Sequence, residues 1–346
     1  MKTMRSRIML HDGSQELVSG HLFMIGLPGT ELDKSTRQLI NEHSIHNFII
    51  FRRNVKSKQQ LQSLCAALQE ACRQSGLPRP LISIDQEGGP VARLPKPFTQ
   101  FPAMHELSGA PNHKNLLAEY AATCARELRE VGINMNLAPV LDICPSDQDL
   151  FMEERSLGGE AQQVAELGHL LITGLQGAGV AACAKHFPGL GAATLDPHKE
   201  LPEVDLPLSY FTKEGLAPFR LAAAIGTAAF MTSHAVYNAI APQVPGTLSP
   251  KVVRELIRDE CGYEGLIITD DLEMGAIELF MPFPRAVLQA LLAGADLLLI
   301  CHDHNKVQTA LRELEKARKA GRISNDIIRD SLLRQQDLLR RFSCGP

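Results

Sequence analysis

The sequence contains no long hydrophobic run, no apolar leader of the secretory type and no concentrated basic segment. No stretch approaches the roughly 18–20 apolar residues that a membrane-spanning helix requires. The basic residues near the N-terminus lead into the polar His11, Asp12 and Gly13 rather than into an apolar segment, so we expect no secretory signal. The net charge of −4 disfavours nucleic acid as a partner. Together these absences predict a soluble cytoplasmic protein that binds neither membranes nor nucleic acid.

Closely spaced cysteines are missing as well. The eight cysteines stand singly along 346 residues, whereas disulfide frameworks belong to much smaller secreted chains. Most have apolar neighbours, as Cys183 does, and a thiol in such surroundings is usually a small core residue. The alternation Cys301-His302-Asp303-His304 resembles a cluster of zinc ligands, but Asp303 is more simply the N-cap of a helix. We therefore predict a reducing compartment, no bound metal and no cofactor.

What the chain does contain is one pattern repeated eight times: a short apolar run, a loop, and a longer amphipathic segment. The runs have the length of strands and are mostly apolar rather than alternating, as expected for parallel strands that are covered on both faces. The eight predicted strands are His21–Leu27, Asn47–Phe51, Leu81–Asp85, Asn134–Leu141, Val180–His186, Ala228–His234, Gly265–Asp271 and Ala295–Cys301.

The segments between these runs carry helix start and stop signals, such as Ser57 at the start and Gly76 at the end of one of them. Strand–helix alternation predicts a parallel α/β fold. Eight units favour a closed (β/α)8 barrel of the TIM type over an open sheet, and no Gly-x-Gly-x-x-Gly follows the first run. Without a linker that divides the chain, we predict one catalytic domain over residues 1–346. The other predicted helices are Asn112–Gly132, Glu160–Gly179, Ser209–Gly226, Ser249–Gly262, Pro284–Gly294 and two between His304 and Phe342.

Polar residues interrupt the apolar runs mainly where a run ends. In a barrel, the carboxyl ends of the strands and the loops beyond them carry the catalytic groups. A single aspartate after a strand is more often a helix N-cap, but polar groups at five strand ends together favour an enzyme. These strand-end groups are Asp85-Gln86-Glu87, Asp142, Lys185-His186, Ser233-His234 and Asp270-Asp271.

The loop after the fifth strand predicts a proton-transfer pair. Asp196 and His198 are two residues apart, so in an extended segment their side chains point the same way. An aspartate beside an imidazole fixes its tautomer and favours its protonated form, which is how a general acid and base is built. Asp270 and Asp271 remain ambiguous by themselves: one can be a nucleophile while the other caps the helix predicted at Leu272–Leu279.

Taken together, these motifs resemble those of family 3 glycoside hydrolases, in particular the compact single-domain bacterial β-N-acetylglucosaminidases. Several stand in the family's order over most of the chain, which makes the resemblance specific. The matching segments are Asp85-Gln86-Glu87-Gly88-Gly89 with Arg93, Asn136–Asp142, Glu154–Gly158, Lys185–His198, Thr232–His234 and Ile268–Met274.

The resemblance implies a retaining exo-β-N-acetylglucosaminidase that removes terminal β-linked N-acetylglucosamine (GlcNAc). Asp270 is then the nucleophile of a covalent glycosyl intermediate, His198 the acid and base, and Asp196 the partner of His198. It also implies a monomer that acts on small β-GlcNAc glycosides, in particular on cytoplasmic peptidoglycan fragments. The residues that it implies for binding the sugar are Asp85, Arg93, Arg155, Lys185 and His186.

Two alternatives stay open on the sequence. A histidine shuttle repels an incoming anion less than a carboxylate does, so phosphate could replace water and make the enzyme a phosphorylase. A sugar-binding barrel without turnover is the other, because Leu190, Pro90 and Pro197 stand where the family usually has His, Arg and Ser. None of the three removes a predicted catalytic group, and Pro197 is expected to stiffen the loop that carries His198.

Overall fold

Eight parallel strands close into a barrel in the computed structural model, which describes residues 17–145 and 150–342. Neighbouring strands pair in chain order, and the first strand also pairs with the last, which closes the cylinder. The (β/α)8 prediction is therefore confirmed, and all eight predicted strands are present. They are β1 Phe23–Gly26, β2 Asn47–Ile50, β3 Leu81–Ile84, β4 Met135–Asn136, β5 Ala181–Phe187, β6 Ala229–Thr232, β7 Leu266–Asp271 and β8 Leu297–Ile300.

Helices follow the strands and surround the barrel. They are α1 Lys34–His43, α2 Lys58–Gln74, α3 His113–Glu130, α4 Ala161–Gly177, α5 Ala217–Ala224, α6 Lys251–Glu260, α7 Phe283–Ala293, α8 His304–Lys319 and α9 Asn325–Arg341. Two segments differ from the regular helices that we predicted: α6 has wide i→i+5 turns, and the stretch before α5 divides into Leu208–Tyr210 and the wide turn Phe211–Gly215. None of the helices in the described ranges is both long and apolar enough to cross a bilayer.

The uniformly apolar strands are explained by two separate cores. Successive side chains of a strand point to opposite faces. Met24 therefore packs inside the barrel, while its neighbours Phe23 and Ile25 pack outside it, between strands and helices. Every residue of β1 is buried, as are those of β2 and β3. Because both faces exclude water, a strand without polar alternation is the pattern that this architecture requires.

Helix starts and cysteines agree with the sequence analysis where the chain is described. The Ser57 hydroxyl accepts the Gln60 N–H at 3.2 Å, and Asp303 accepts the Asn305 N–H at 2.7 Å, so both residues are N-caps. The seven cysteines in the described ranges are free thiols, and six of them are buried. Cys344 lies outside the described residues.

Two small sheets form the rim at the carboxyl ends of the strands. After β3, a hairpin pairs Gln86–Gly88 with Val91–Ala92. The loops after β5 and β6 build a second, three-stranded sheet from Glu203–Val204, Val236–Tyr237 and Ala241–Pro245. This second sheet holds the long loop after β5 beside the loop after β6.

Candidate active site

Five charged side chains around β3, β4 and β5 form one network at the mouth of the barrel, which we call the floor cluster. Glu87 accepts two hydrogen bonds from Arg155, at 2.9 Å from Nε and 2.8 Å from Nη2. Lys185 Nζ lies 2.6 Å from Glu87 Oε1 and 3.0 Å from Asp85 Oδ1. Arg93 Nη2 lies 3.3 Å from Asp85 Oδ2. Four residues predicted to bind the sugar are therefore connected, and Glu87 joins them.

Ion pairing in the floor cluster outweighs the cost of burying its charges. The side chains of Glu87 and Lys185 are each only 2% exposed. Burial alone would raise the pKa of Glu87, but Arg155 and Lys185 hold that pKa well below its ordinary value. Burial alone would lower the pKa of Lys185, but Asp85 and Glu87 raise it above its ordinary value. Glu87 and Lys185 therefore both remain charged at neutral pH.

His186, the fifth residue predicted to bind the sugar, is held by Asp142. Its Nδ1 lies 2.7 Å from Asp142 Oδ2, and its backbone N–H donates to the same carboxylate. Because a carboxylate only accepts, Nδ1 carries the proton, and Nε2 lies 3.5 Å from Arg155 Nη2. The Leu190 N–H also donates to Asp142, at 2.6 Å. The backbone of Leu190 therefore anchors the loop although its side chain offers no donor.

Asp270 lies at the end of β7 and is partly exposed. Its carboxylate accepts the Asp271 N–H at 2.8 Å. Burial alone would raise the pKa of Asp270, but His186, His234 and the Asp271 N–H hold it below its ordinary value. His234 is fixed nearby, since its Nε2 donates to the Asp271 carbonyl at 2.9 Å. Asp270 is therefore an ionised carboxylate at neutral pH, as a nucleophile must be.

Asp271 has a different environment from its neighbour. Its Oδ1 accepts the N–H groups of Glu273 and Cys301, at 3.1 and 3.3 Å. It does not cap the following helix, which begins at Gly275 with Met274 at the N-cap position. Burial raises the pKa of Asp271 to about 7. The two adjacent carboxyl groups thus differ in pKa, with Asp270 the more acidic.

The structure brings Asp196 and His198 together, but not in the extended segment that we predicted. His198 Nδ1 lies 2.7 Å from Asp196 Oδ1, which also accepts the His198 backbone N–H at 3.0 Å. The Lys199 N–H donates to the Asp196 carbonyl, which closes a turn with Pro197 at its second position. Proline favours that position, and aspartate favours the first. We call residues 196–199 the dyad turn.

The dyad turn is exposed, unlike the floor cluster. The side chain of His198 is 67% exposed and that of Asp196 is 38% exposed. Burial alone would raise the pKa of Asp196, but hydrogen bonds from the His198 backbone and ring lower it below its ordinary value. Asp196 is therefore an ionised partner, and it leaves His198 Nε2 as the ring atom that can exchange a proton with a ligand.

The alternation Cys301-His302-Asp303-His304 does not converge on one point. Cys301 is buried, Asp303 caps α8, and His304 Nε2 donates to the Gly26 carbonyl at 2.9 Å. His302 instead lies 3.5 Å from Asp271 Oδ2. Within residues 17–145 and 150–342, no three or more His, Cys, Asp or Glu side chains form a group that could hold a metal ion.

The sequence placed Glu87, Asp142 and His234 among the polar strand-end groups but predicted no role for any of them. All three stand at or just after the end of an apolar run, and this position was the available signal. Their partners are distant in sequence, since Glu87 pairs with Arg155 and Asp142 pairs with His186. The spacing of residues along the chain cannot reveal such pairs.

Comparisons with known proteins agree with this architecture. The sequence matches the family described as "Glycosyl hydrolase family 3 N terminal domain" over residues 16–338. A β-hexosaminidase of Pseudomonas aeruginosa (strain LESB58) is 34% identical over 294 residues, which cover 85% of this chain and 86% of that protein. A β-hexosaminidase of Alkalilimnicola ehrlichii is 35% identical over 296 residues, which cover 84% of this chain and 83% of that protein.

Solved structures give the same result. A family 3 β-N-acetylglucosaminidase from Paenibacillus sp. str. FPU-7 superposes with a TM-score of 0.89 at 40% identity, over 94% of this chain and 62% of that chain. A β-N-acetylhexosaminidase from Beutenbergia cavernae gives a TM-score of 0.83 at 26% identity, over 92% of this chain and 96% of that chain. The family match includes every strand of the barrel and every residue of the candidate site. The chain therefore belongs to glycosyl hydrolase family 3, and it is a glycoside hydrolase.

Proposed function

We propose that this protein is a retaining exo-β-N-acetylglucosaminidase, with Asp270 as nucleophile and the Asp196–His198 pair as acid and base. The observation that carries the proposal is that two adjacent carboxyl groups at the end of β7 differ in environment and in pKa. Asp270 is ionised at the strand end, whereas the pKa of Asp271 is raised to about 7. A carboxylate nucleophile must be deprotonated when it attacks, so Asp270 is the better candidate of the two.

In this mechanism the Asp270 carboxylate attacks the anomeric carbon and the glycosidic bond breaks. His198 Nε2 gives its proton to the leaving oxygen, because Nδ1 is occupied by Asp196. The neutral imidazole then takes a proton from water, which attacks the glycosyl–Asp270 ester and restores the enzyme. Two displacements return the sugar with its original β configuration.

The floor cluster and His186 bind the sugar in this proposal. Asp85 supplies acceptors, while Arg93, Arg155, Lys185 and His186 supply donors or a ring edge to the hydroxyl and acetamido groups. Charged groups that are already ordered by one another bind polar ligands with little reorganisation. The name of the Pseudomonas relative, β-hexosaminidase, supports a hexosamine as the sugar, and that of the Paenibacillus relative, β-N-acetylglucosaminidase, supports GlcNAc.

For the natural substrate we propose peptidoglycan fragments in the cytoplasm, with the enzyme acting as a monomer over a single domain of residues 1–346. The support is the resemblance to compact bacterial enzymes of this type, together with the free thiols of all seven described cysteines. A muropeptide with terminal β-linked GlcNAc is the substrate that tests this part of the proposal.

Replacement of the nucleophile is the direct test. Asp270→Ala should lower kcat for p-nitrophenyl β-GlcNAc by about 10⁴-fold or more, because no carboxylate remains to form the covalent intermediate. The matched control is Asp271→Asn, which should keep activity within about tenfold, since that side chain binds backbone N–H groups. An Asp270→Ala enzyme with unchanged activity contradicts the proposed mechanism.

A product assay separates hydrolysis from phosphorolysis. The wild-type enzyme is incubated with p-nitrophenyl β-GlcNAc or β-glucoside, with and without phosphate. The proposal predicts free GlcNAc from the first substrate in both buffers and little release of glucose from the second. GlcNAc 1-phosphate as the main product in phosphate buffer would instead identify a phosphorylase.

A further inference from the structure

The dyad turn is hydrogen-bonded to the segment that follows β7, the strand that carries Asp270. The carbonyl oxygen of His198 accepts the Gly275 N–H at 3.2 Å, and that of Pro197 accepts the Ala276 N–H at 3.1 Å. Gly275 begins the short helix Gly275–Glu278, only five residues after Asp270. The loop that carries His198 is thus hydrogen-bonded to the short helix that follows Asp270 and the end of β7.

The two N–H groups have no competing partner within their own helix. In the first turn of a helix the N–H groups point away from the helix and find no carbonyl in it. The carbonyls of Pro197 and His198 provide the partners that are missing. Both hydrogen bonds join backbone atoms, so they fix the position of the dyad turn without depending on side chains.

Residue 275 can approach the dyad turn this closely only as glycine. A Cβ atom at this position would lie 2.8 Å from the His198 carbonyl oxygen and 3.0 Å from that of Lys199. Both contacts are with backbone atoms, which cannot move aside as the end of a flexible side chain can. Any larger residue must therefore push the dyad turn away from the connection after β7.

We propose that Gly275 is a positioning residue, which allows the dyad turn to dock and so sets the place of the His198 imidazole relative to Asp270. The inference rests on the proposed role of His198 as the acid and base. Gly275 itself takes no part in proton transfer. Its effect is geometric, because a proton donor must lie within hydrogen-bond reach of the leaving oxygen.

Leaving-group dependence provides the test. Glycosides whose leaving group is weakly acidic, such as phenyl β-GlcNAc, need the proton from His198, whereas 2,4-dinitrophenyl β-GlcNAc departs without it. Gly275→Ala should lower kcat/KM for the phenyl substrate by about 10- to 100-fold and for the dinitrophenyl substrate by less than about threefold. Gly275→Val should increase the difference, since its side chain is larger.

The matched control is Gly29→Ala in the loop after β1, at the same end of the barrel. A Cβ atom there meets nothing within 4 Å, so both substrates should react at the wild-type rate. The inhibition constant of GlcNAc, measured for every variant, reports whether the floor cluster is intact. A Gly275→Ala enzyme that is unchanged, or that loses activity equally on both substrates, overturns the inference.

The His198→Ala variant distinguishes this failure from failure of the proposed function. If His198→Ala shows the leaving-group dependence but Gly275→Ala does not, the role of Gly275 is wrong and the role of His198 stands. If His198→Ala shows no such dependence, the proposed function itself fails. The result for His198→Ala is independent of how the glycine variant folds, and the inhibition constant of GlcNAc shows whether the site of the glycine variant is intact.

Hydrogen exchange of the wild-type protein gives a second test that requires no variant. Because the Gly275 and Ala276 amides have no partner in their own helix, docking of the dyad turn is what protects them. Residue-resolved exchange at these two amides should be slower than in an unprotected peptide of the same sequence, by about tenfold or more. Exchange of both amides at the rate of an unprotected peptide overturns the inference.

Discussion

The floor cluster and the dyad turn lie at the same mouth of the barrel, yet they are held in different ways. Glu87 and Lys185 are almost fully buried and are fixed by charged side chains from other strand ends. Asp196 and His198 are exposed, and backbone hydrogen bonds hold the turn that carries them. The difference shows that the proposed sugar-binding groups are fixed by the barrel core, whereas the proposed proton shuttle depends on a surface loop. Substitutions in the two regions should therefore have different consequences for stability.

The largest effect is expected at the centre of the floor cluster. Glu87→Gln leaves Lys185 and Arg155 with a neutral partner in a buried site, which should lower the free energy of unfolding by about 3–5 kcal/mol. The matched control is Glu130→Gln, a surface carboxylate that also contacts two cations, Lys58 and Arg126. The control should cost less than about 1 kcal/mol. Denaturant titration measures both, and equal losses would contradict the comparison.

A smaller effect is expected in the pH dependence of stability, to which Asp271 should contribute because its pKa is raised. The pKa of Asp271 is about 7 in the folded protein, above its value in the unfolded chain. Its contribution to stability is therefore fully present below the unfolded pKa and is lost as pH rises through about 7. Asp271→Asn removes this dependence. The free energy of unfolding of the variant, relative to that of the wild type, should therefore be higher at pH 8 than at pH 5 by on the order of 2 kcal/mol. Denaturant titration at both pH values measures it, and no change in the difference would contradict the account.

Much of the barrel could be predicted because its strands are buried on both faces and so carry a distinct apolar pattern. The strand-end rule also predicted correctly where the charged residues gather. It could not show that Glu87 joins Arg155 to Lys185, because this contact brings together three segments that are far apart in the sequence. The buried carboxylates Glu87 and Asp142 were consequently predicted to lie at strand ends, but not to hold Arg155, Lys185 and His186 in place.

The dyad turn shows a second limit. Asp196 and His198 do meet, but through a turn rather than an extended segment. The fixed φ of Pro197 and the hydrogen bond from the His198 N–H to Asp196 favour the turn locally. The proline that we expected to stiffen the loop thus occupies a turn position that suits its fixed φ. The docking of the dyad turn against Gly275 could not be predicted, since backbone atoms that are distant in the sequence make that contact.

In the proposed mechanism, Asp270 forms the covalent intermediate and His198 completes both proton transfers. The most direct test is hydrolysis of 2,4-dinitrophenyl β-GlcNAc by His198→Ala with added azide, followed by proton NMR of the product. Azide is small and needs no base, so it should enter the space of the lost imidazole and react with the glycosyl enzyme. The account predicts faster turnover and a β-glycosyl azide. An α-glycosyl azide, or continued hydrolysis without any azide product, would contradict it.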